Sequence, residues 1–153
     1  MTAWLPVPHL LQDKPGWCLP ACVAMVAAYW EQPLLQADVA NWLGVTGVGT
    51  PASHIRRLAA RGFEVVYRTG SLADLETWLE LGVPCILFVR TGELSYWDVD
   101  TAHAVVLVGL DSEHAYLLDP AVAQSPVTVS PDELMLAGSF FDYTYAVLTV
   151  EPT

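Results

Sequence analysis

Residues 12–30, QDKPGWCLPACVAMVAAYW, form a short polar loop that runs directly into an apolar segment. Pro20 suits the first turn of a helix, where its missing N–H leaves no hydrogen bond unmade. The residues after it are apolar nearly all round, which predicts a buried helix over 19–30. The loop therefore delivers Cys18 to the N-terminus of a helix in the protein core.

Cys18 has a position that favours thiolate chemistry. Free N–H groups and the positive end of the helix dipole stabilise the thiolate, so the sulfur becomes a better nucleophile near neutral pH. Such a nucleophile needs a general base and a donor for the oxyanion that forms during attack. The alternative is that Cys18 is a small core residue, since free cysteine is among the most buried residue types.

Length and composition narrow the class of protein. The chain has 153 residues, of which 54% are hydrophobic, and this predicts one globular domain over 1–153. Six basic and seventeen acidic residues give a net charge of −11, which disfavours nucleic acid as a partner. No apolar run reaches about 18 residues, and no secretory signal is evident, so we expect a cytoplasmic protein without an integral membrane segment. The composition leaves the oligomeric state open.

Helical patterns precede strand patterns along the chain. The first half predicts one short strand, at 63–67, among four helices. The helices are expected over 19–30, over 36–43, from Thr50 as N-cap with Pro51 at N1 to Gly62, and from Ser71 to Gly82. The second half predicts strands over 83–89, 103–110, 115–118, 126–129 and 143–150, with one helix from Ser130. This order predicts an α+β fold of two layers, in which an N-terminal helical layer packs on a mostly antiparallel sheet.

A histidine and an aspartate lie at the ends of neighbouring predicted strands. His103 opens one strand and Asp119 ends the next, so the two side chains can meet at one edge of the sheet. A carboxylate on the far imidazole nitrogen would fix the tautomer and stabilise the imidazolium, which makes His103 a candidate base for Cys18. Alternatively, His103 is a satisfied core histidine and Asp119 a turn residue before Pro120. Asp111 is then the second candidate for the orienting carboxylate.

Gln12 lies six residues before Cys18 and is the candidate oxyanion donor. Its amide NH₂ and the backbone N–H of Cys18 could together hold the oxyanion, although Gln12 could also be an ordinary solvated loop residue. The other two cysteines are expected in the core, and the other three histidines at the surface or in loops. No metal site is predicted, because the one close cysteine pair has no second pair to complete it. The other two cysteines are Cys22 and Cys85, and the other three histidines are His9, His54 and His114.

Three motifs together resemble the papain-like bacteriocin-processing cysteine peptidases. They are Gln-(five residues)-Cys-x-Pro-Ala-Cys-x-Ala-Met-Val from Gln12, HAVVLVGLD from His103, and Leu-Asp-Pro around Asp119. The resemblance implies a papain-like fold in which Cys18 is the nucleophile, His103 the general base, Asp119 the third triad member and Gln12 the oxyanion donor. Members of that family remove double-glycine leader peptides and are often fused to a transporter. No transporter follows here, so we expect a standalone domain.

The sequence therefore predicts a cysteine peptidase that hydrolyses peptide bonds in a peptide or protein substrate, with leader-peptide processing as the finer expectation and no cofactor. The family usually has glycine directly after the nucleophile, where this chain has Leu19. An inactive peptide-binding module and an acyl transferase that uses the same thioester are the alternatives. The candidate substrate contacts are Trp17 and Leu19, which flank the nucleophile, Ala102, which precedes the base, and Tyr96 and Trp97. The last two lie in the loop over 91–101, where these aromatics could instead pack on the sheet.

Overall fold

The computed structural model describes residues 4–150. The helices are α1 (Cys18–Tyr29), α2 (Gln36–Leu43), α3 (Leu72–Glu80) and α4 (Pro131–Ser139), with 3₁₀ helices at Ala52–Arg61 and Thr91–Glu93. The strands are β1 (Phe63–Thr69), β2 (Cys85–Arg90), β3 (Ala102–Leu110), β4 (Ala115–Leu118), β5 (Val127–Val129) and β6 (Thr144–Val150). Within residues 4–150, none of the helices has the length and apolar composition needed to cross a membrane.

The six strands form one sheet in the order β1-β6-β2-β3-β4-β5, and every neighbouring pair is antiparallel. The two longest apolar runs of the second half of the chain became β2 and β3, which lie side by side in the middle. Strands with continuous apolar sequence are stable where both faces of a sheet are covered. The predicted combination of an N-terminal helical layer and an antiparallel sheet is confirmed.

Helices cover both faces of this sheet, which differs from the expected two layers. On one face α1, α2 and the first 3₁₀ helix pack against inward side chains such as Ile86 and Val106. On the other face α3 and α4 pack against the alternate side chains, among them Leu87 and Leu107. Successive strand residues point to opposite faces, so the continuous apolar runs of β2 and β3 supply both cores.

Helix α1 is buried as predicted and begins one residue earlier than expected, at Cys18. Every residue from 19 to 27 is buried, so the helix is surrounded by core on all sides. No side chain caps its N-terminus. The first N–H groups of α1 are therefore free to stabilise a negative charge at Cys18.

The predicted helix starts have different outcomes. Ser71 and Asp74 form a full capping box: the Ser71 hydroxyl accepts from the Asp74 N–H at 3.3 Å, and the Asp74 carboxylate accepts from the Ser71 N–H at 2.8 Å. Ser130 caps α4 by accepting from the Glu133 N–H at 3.1 Å. The Glu133 carboxylate instead accepts from the Ser95 hydroxyl, at 3.1 Å, and so links α4 to the loop before β3.

The segment after Thr50 is a 3₁₀ helix, and the prediction that Thr50 is its N-cap is wrong. Pro51 precedes the helix, and no side chain caps it. The Thr50 hydroxyl donates to the Leu43 carbonyl at 3.3 Å, and His54 Nδ1 and the Arg57 guanidinium approach the same oxygen at 2.8 and 3.1 Å. These donors satisfy a free carbonyl at the C-terminus of α2, which draws Thr50 away from its own helix.

Candidate active site

The starts of α1 and β3 and the end of β4 meet at one edge of the sheet. In the antiparallel pairing of β3 with β4, Val106 lies opposite Leu118. His103, three residues before Val106, and Asp119, one residue after Leu118, therefore emerge at the same edge. Helix α1 packs across β3 on the first face, so its N-terminal residue Cys18 reaches this edge as well.

His103 links the other two groups. Its Nε2 lies 2.7 Å from Asp119 Oδ1, and both side chains are buried. The imidazole also lies beside the thiol of Cys18, whose pKa it lowers, and Nδ1 is the ring nitrogen that Asp119 leaves free. The structure thus brings Cys18, His103 and Asp119 together at one place, with His103 between the other two.

The pKa values of Cys18 and His103 move in opposite directions. Burial would raise the pKa of the Cys18 thiol, but the hydrogen bond and charge of His103, with the N–H groups of Ala104 and Leu19, outweigh it and lower that pKa. Burial would lower the pKa of His103, but Asp119 and Cys18 raise it to about 9. Both shifts favour a thiolate–imidazolium pair over the neutral pair.

Asp119 accepts hydrogen bonds from four donors. Oδ1 takes His103 Nε2 and the Ala121 N–H at 2.7 and 2.8 Å, while Oδ2 takes the Tyr96 hydroxyl and Trp97 Nε1 at 2.7 and 3.0 Å. Burial alone would raise the pKa of the Asp119 carboxyl, but these donors, His103 first among them, lower it. Asp119 is therefore held as a carboxylate that stabilises the imidazolium.

Tyr96 and Trp97 lie half-buried and hydrogen-bond Asp119, whereas the sequence left open an exposed cleft wall and packing on the sheet. The Trp97 ring also contacts His103 edge-on, with centroids 4.9 Å apart and an interplanar angle of 61°. Burial and the Asp119 carboxylate raise the pKa of Tyr96, which therefore remains a hydroxyl donor. Both aromatics support the orienting carboxylate.

A cleft of about 340 Å³ opens over Cys18 and His103. Trp17 and Tyr96, two of the candidate substrate contacts, do not line it: Trp17 precedes α1, and the ammonium of Lys14 lies 5.1 Å from its ring centroid. The other predicted site residues at the cleft are Gln12, Leu19, Trp97 and Ala102.

A family model identifies the chain. The model of the peptidase C39 family matches residues 7–152. The chain belongs to the peptidase C39 family. It is accordingly a cysteine peptidase, as predicted. No curated protein matches this C39 peptidase in sequence.

Solved structures share its fold. A C39-like peptidase from Bacillus anthracis is 19% identical, with a TM-score of 0.77 and complete coverage of both chains. The peptidase domain of Streptococcus ComA, a bi-functional ABC transporter in a quorum sensing pathway, is 18% identical with a TM-score of 0.77 and covers 98% of this chain and 100% of its own. A double glycine motif protease from an AMS/PCAT transporter, in complex with the leader peptide, is 24% identical with a TM-score of 0.69 over 100% of this chain and 96% of its own. The papain-like α+β fold predicted from the sequence is confirmed.

Gln12 lines the cleft of this C39 peptidase, but its amide has a local partner. Nε2 donates to the Lys14 carbonyl at 3.0 Å. An amide NH₂ has two hydrogens, so one remains for a second acceptor. Oε1 is buried and has no hydrogen-bond partner among the described residues.

Leu19 occupies the position after Cys18, where the resemblance led us to expect glycine. Its side chain is 3% exposed and packs with the core residues of the first face. Its N–H also helps to lower the pKa of Cys18. Leu19 thus lines the cleft with a side chain that is packed almost wholly in the core.

Several site residues were not found from the sequence. Val48 lines the cleft and is 99% exposed, on a tight turn in which Thr46 and Gly49 bond each other's backbone. The signal in the sequence that could have identified Val48 is that it is an apolar residue among turn-forming residues, in TGVG at 46–49. Phe88 and Phe141 also line the cleft, but neither has a local pattern that distinguishes a cleft residue from a core residue.

Of the remaining candidates, the two other cysteines and Asp111 make no hydrogen bond to Cys18, His103 or Asp119, whereas His9 contacts the backbone of Asp119. Cys22 and Cys85 are fully buried, which confirms their assignment to the core. Asp111, the alternative orienter, accepts from the N–H groups of Glu113 and His114 and so closes the β3–β4 turn. His9 was expected in a loop without a role, but its Nε2 donates to the Asp119 carbonyl at 2.8 Å.

Proposed function

We propose that Cys18, His103 and Asp119 act as a catalytic triad that hydrolyses a peptide bond in this cleft. The observation that carries the proposal is that His103 hydrogen-bonds Asp119 through Nε2 and lies beside Cys18 in an open cleft. The opposite pKa shifts of Cys18 and His103 support it, because such shifts are typical of a paired thiolate and imidazolium.

In the first half of the reaction His103 accepts the proton of the Cys18 thiol, and the thiolate sulfur attacks the carbonyl carbon of the substrate. The carbonyl π electrons move to oxygen, and the oxyanion accepts hydrogen bonds from the Cys18 N–H and the second Gln12 amide hydrogen. The C–N bond then breaks, and His103 gives its proton to the departing amine.

In the second half water replaces the amine. His103 takes a proton from the water as its oxygen attacks the thioester carbonyl, and the same two donors hold the second oxyanion. The C–S bond breaks, the acid product leaves, and the proton returns to restore the Cys18–His103 pair. Asp119 keeps His103 oriented throughout, because its charge and position do not change.

We further propose that the substrate is a precursor peptide cleaved after small residues. The related double glycine motif protease is described in complex with a leader peptide. Apart from Cys18 and His103, no charged side chain lines the cleft over the described residues. An uncharged cleft favours an uncharged stretch of substrate, because burying an unpaired charge is costly.

Two measurements test this function. Mass spectrometry after iodoacetamide treatment should find one rapid adduct, on Cys18, that His103→Ala slows strongly and His114→Ala, an exposed control, does not. A fluorogenic peptide library that includes Gly-Gly before the reporter amide should be cleaved by the wild type and not by Cys18→Ala. Gln12→Ala should lower kcat by roughly 10²- to 10³-fold, the usual cost of losing one oxyanion donor.

Slow labelling that does not depend on His103 would contradict the triad and favour the peptide-binding module. Added amine that captures the acyl group in preference to water would favour the acyl transferase. Cleavage of other peptides without cleavage after Gly-Gly would keep the peptidase and contradict the leader-peptide substrate.

A further inference from the structure

Gln36 is a buried polar residue outside the reacting groups. It is the first residue of α2 and is 7% exposed. Burial of a primary amide is favourable only when its donor and acceptor are both satisfied. Its two partners therefore indicate what the side chain does.

Both partners belong to the backbone that flanks Gln12. Gln36 Oε1 accepts from the Asp13 N–H at 2.9 Å, and Nε2 donates to the Leu11 carbonyl at 2.8 Å. The Gln12 N–H itself donates to the Pro120 carbonyl at 2.8 Å. The main chain is thus held just before, at and just after Gln12.

The helix that carries Gln36 is anchored in the core. Val39 and Leu43 of α2 are fully buried in the same core as α1, which carries Cys18. Pro120 follows Asp119 directly. The two hydrogen bonds from Gln36 and the one from Gln12 to Pro120 therefore tie the Gln12 loop to the elements that carry the nucleophile and the orienting carboxylate.

We propose that Gln36 is a positioning residue that sets the Gln12 amide at the oxyanion site. The inference rests on the proposed function, in which Gln12 donates to the oxyanion. A preorganised donor acts only when it is close to the developing charge, and a misplacement of about 1 Å can cost about 10²-fold in rate. The two bonds from one side chain fix both the position and the orientation of the loop.

Gln36→Met tests the role, because methionine has a similar size and removes both hydrogen bonds. We expect kcat for the best-cleaved fluorogenic peptide of the library to fall roughly 10- to 100-fold, with KM nearly unchanged. The rate of Cys18 labelling by iodoacetamide should be unchanged, since that reaction forms no oxyanion. Val39→Ala, a buried change in the same helix without polar contacts, is the control for lost stability and should leave kcat near the wild-type value.

A double-mutant cycle separates positioning from general weakening of the fold. In a Gln12→Ala background, where the donor is already absent, Gln36→Met should change kcat by no more than about twofold. An equal loss of kcat in both backgrounds, or a loss matched by Val39→Ala, would overturn the role of Gln36. In that event wild-type cleavage and His103-dependent labelling would leave the proposed function intact.

The proposed function can also fail separately. A wild-type protein that cleaves no peptide and labels slowly would overturn the triad and, with it, the role of Gln36. An active wild type whose kcat is unaffected by Gln12→Ala would overturn the role of Gln12 as donor, and Gln36 would then have no donor to position.

Discussion

At the scale of single residues, the site depends most on how Asp119 is held. Four donors converge on a carboxylate with no exposed surface. Buried charge is stable only with such compensation, and the arrangement leaves Asp119 ionised where it can raise the pKa of His103. Tyr96 and Trp97 supply two of these four donors.

The pKa shifts predict the pH profile of peptide hydrolysis. The lowered pKa of Cys18 places the acid limb of kcat/KM below the ordinary cysteine value of about 8.5, because the thiolate forms earlier. The alkaline limb should lie near 9, where His103 loses the proton that the leaving amine needs. Asp119→Asn removes a cause of the raised His103 pKa, so the alkaline limb should move to lower pH and kcat should fall roughly 10²- to 10⁴-fold.

The profile is measured as kcat/KM of the fluorogenic peptide from about pH 5 to about pH 10, a range that spans both limbs. The folding of each variant is checked by circular dichroism. An alkaline limb that stays in place in folded Asp119→Asn would contradict the role assigned to Asp119.

At the scale of elements, the loop from β2 to β3 positions the aromatics over Asp119. Buried Thr91 closes it: its hydroxyl donates to the Val99 carbonyl at 2.6 Å and accepts from the Thr101 N–H at 2.9 Å. Asp100 bridges the Arg90 guanidinium, at 3.0 Å, and the Gly92 N–H, at 3.1 Å. Gly92 is required by this close approach, because a Cβ there would lie 2.7 Å from the Asp100 carboxyl carbon.

Gly92→Ala should therefore displace Asp100 and loosen the loop. We expect the free energy of unfolding to fall by about 1–3 kcal/mol, the usual cost of overpacking, and kcat to fall because Asp119 is less well held. Gly47→Ala is the matched control: a Cβ at Gly47 meets no atom within 4 Å, so its effect on stability should stay within about 0.5 kcal/mol. Urea unfolding measures both, and equal stabilities of the two variants would contradict this account of the loop.

At the scale of the whole molecule, one sheet serves two cores. Adjacent residues of β2 and β3 point alternately to the α1 face and to the α4 face. Disrupting either helical layer therefore exposes strands that the other layer also needs. We expect the chain to unfold as one cooperative unit, in agreement with the single domain predicted from its length.

Leu58→Ala on the first face and Leu134→Ala on the second should each lower the free energy of unfolding by about 2–5 kcal/mol, because both side chains are fully buried. Both should shift the same single transition in urea, followed by circular dichroism and by tryptophan fluorescence. Leu136→Ala, in the same helix as Leu134 but with a side chain 52% exposed, is the control and should change stability by no more than about 0.5 kcal/mol. Two separate transitions would contradict a single unit.

The sequence by itself determined most of the elements and the order of the candidate catalytic residues. Apolar periodicity predicted the buried helix after Cys18 and the central strands, and chain order brought His103 and Asp119 to one sheet edge, since consecutive antiparallel strands exchange ends. The capping residues Ser71 and Ser130 were also predictable. These features depend on local propensity and on neighbouring strands, so short-range patterns contain the information.

Only the tertiary structure decided what surrounds those groups. Tyr96 and Trp97 donate hydrogen bonds to Asp119, and Gln36 hydrogen-bonds the backbone on both sides of Gln12. Thr50 hydrogen-bonds the C-terminal end of the preceding helix, and helices cover the second face of the sheet. Each of these contacts joins segments that are distant in sequence or turns a side chain away from its local partner. Such contacts are selected by the global packing, because a buried donor or acceptor bonds whichever partner the fold brings within reach, and no local pattern records that choice.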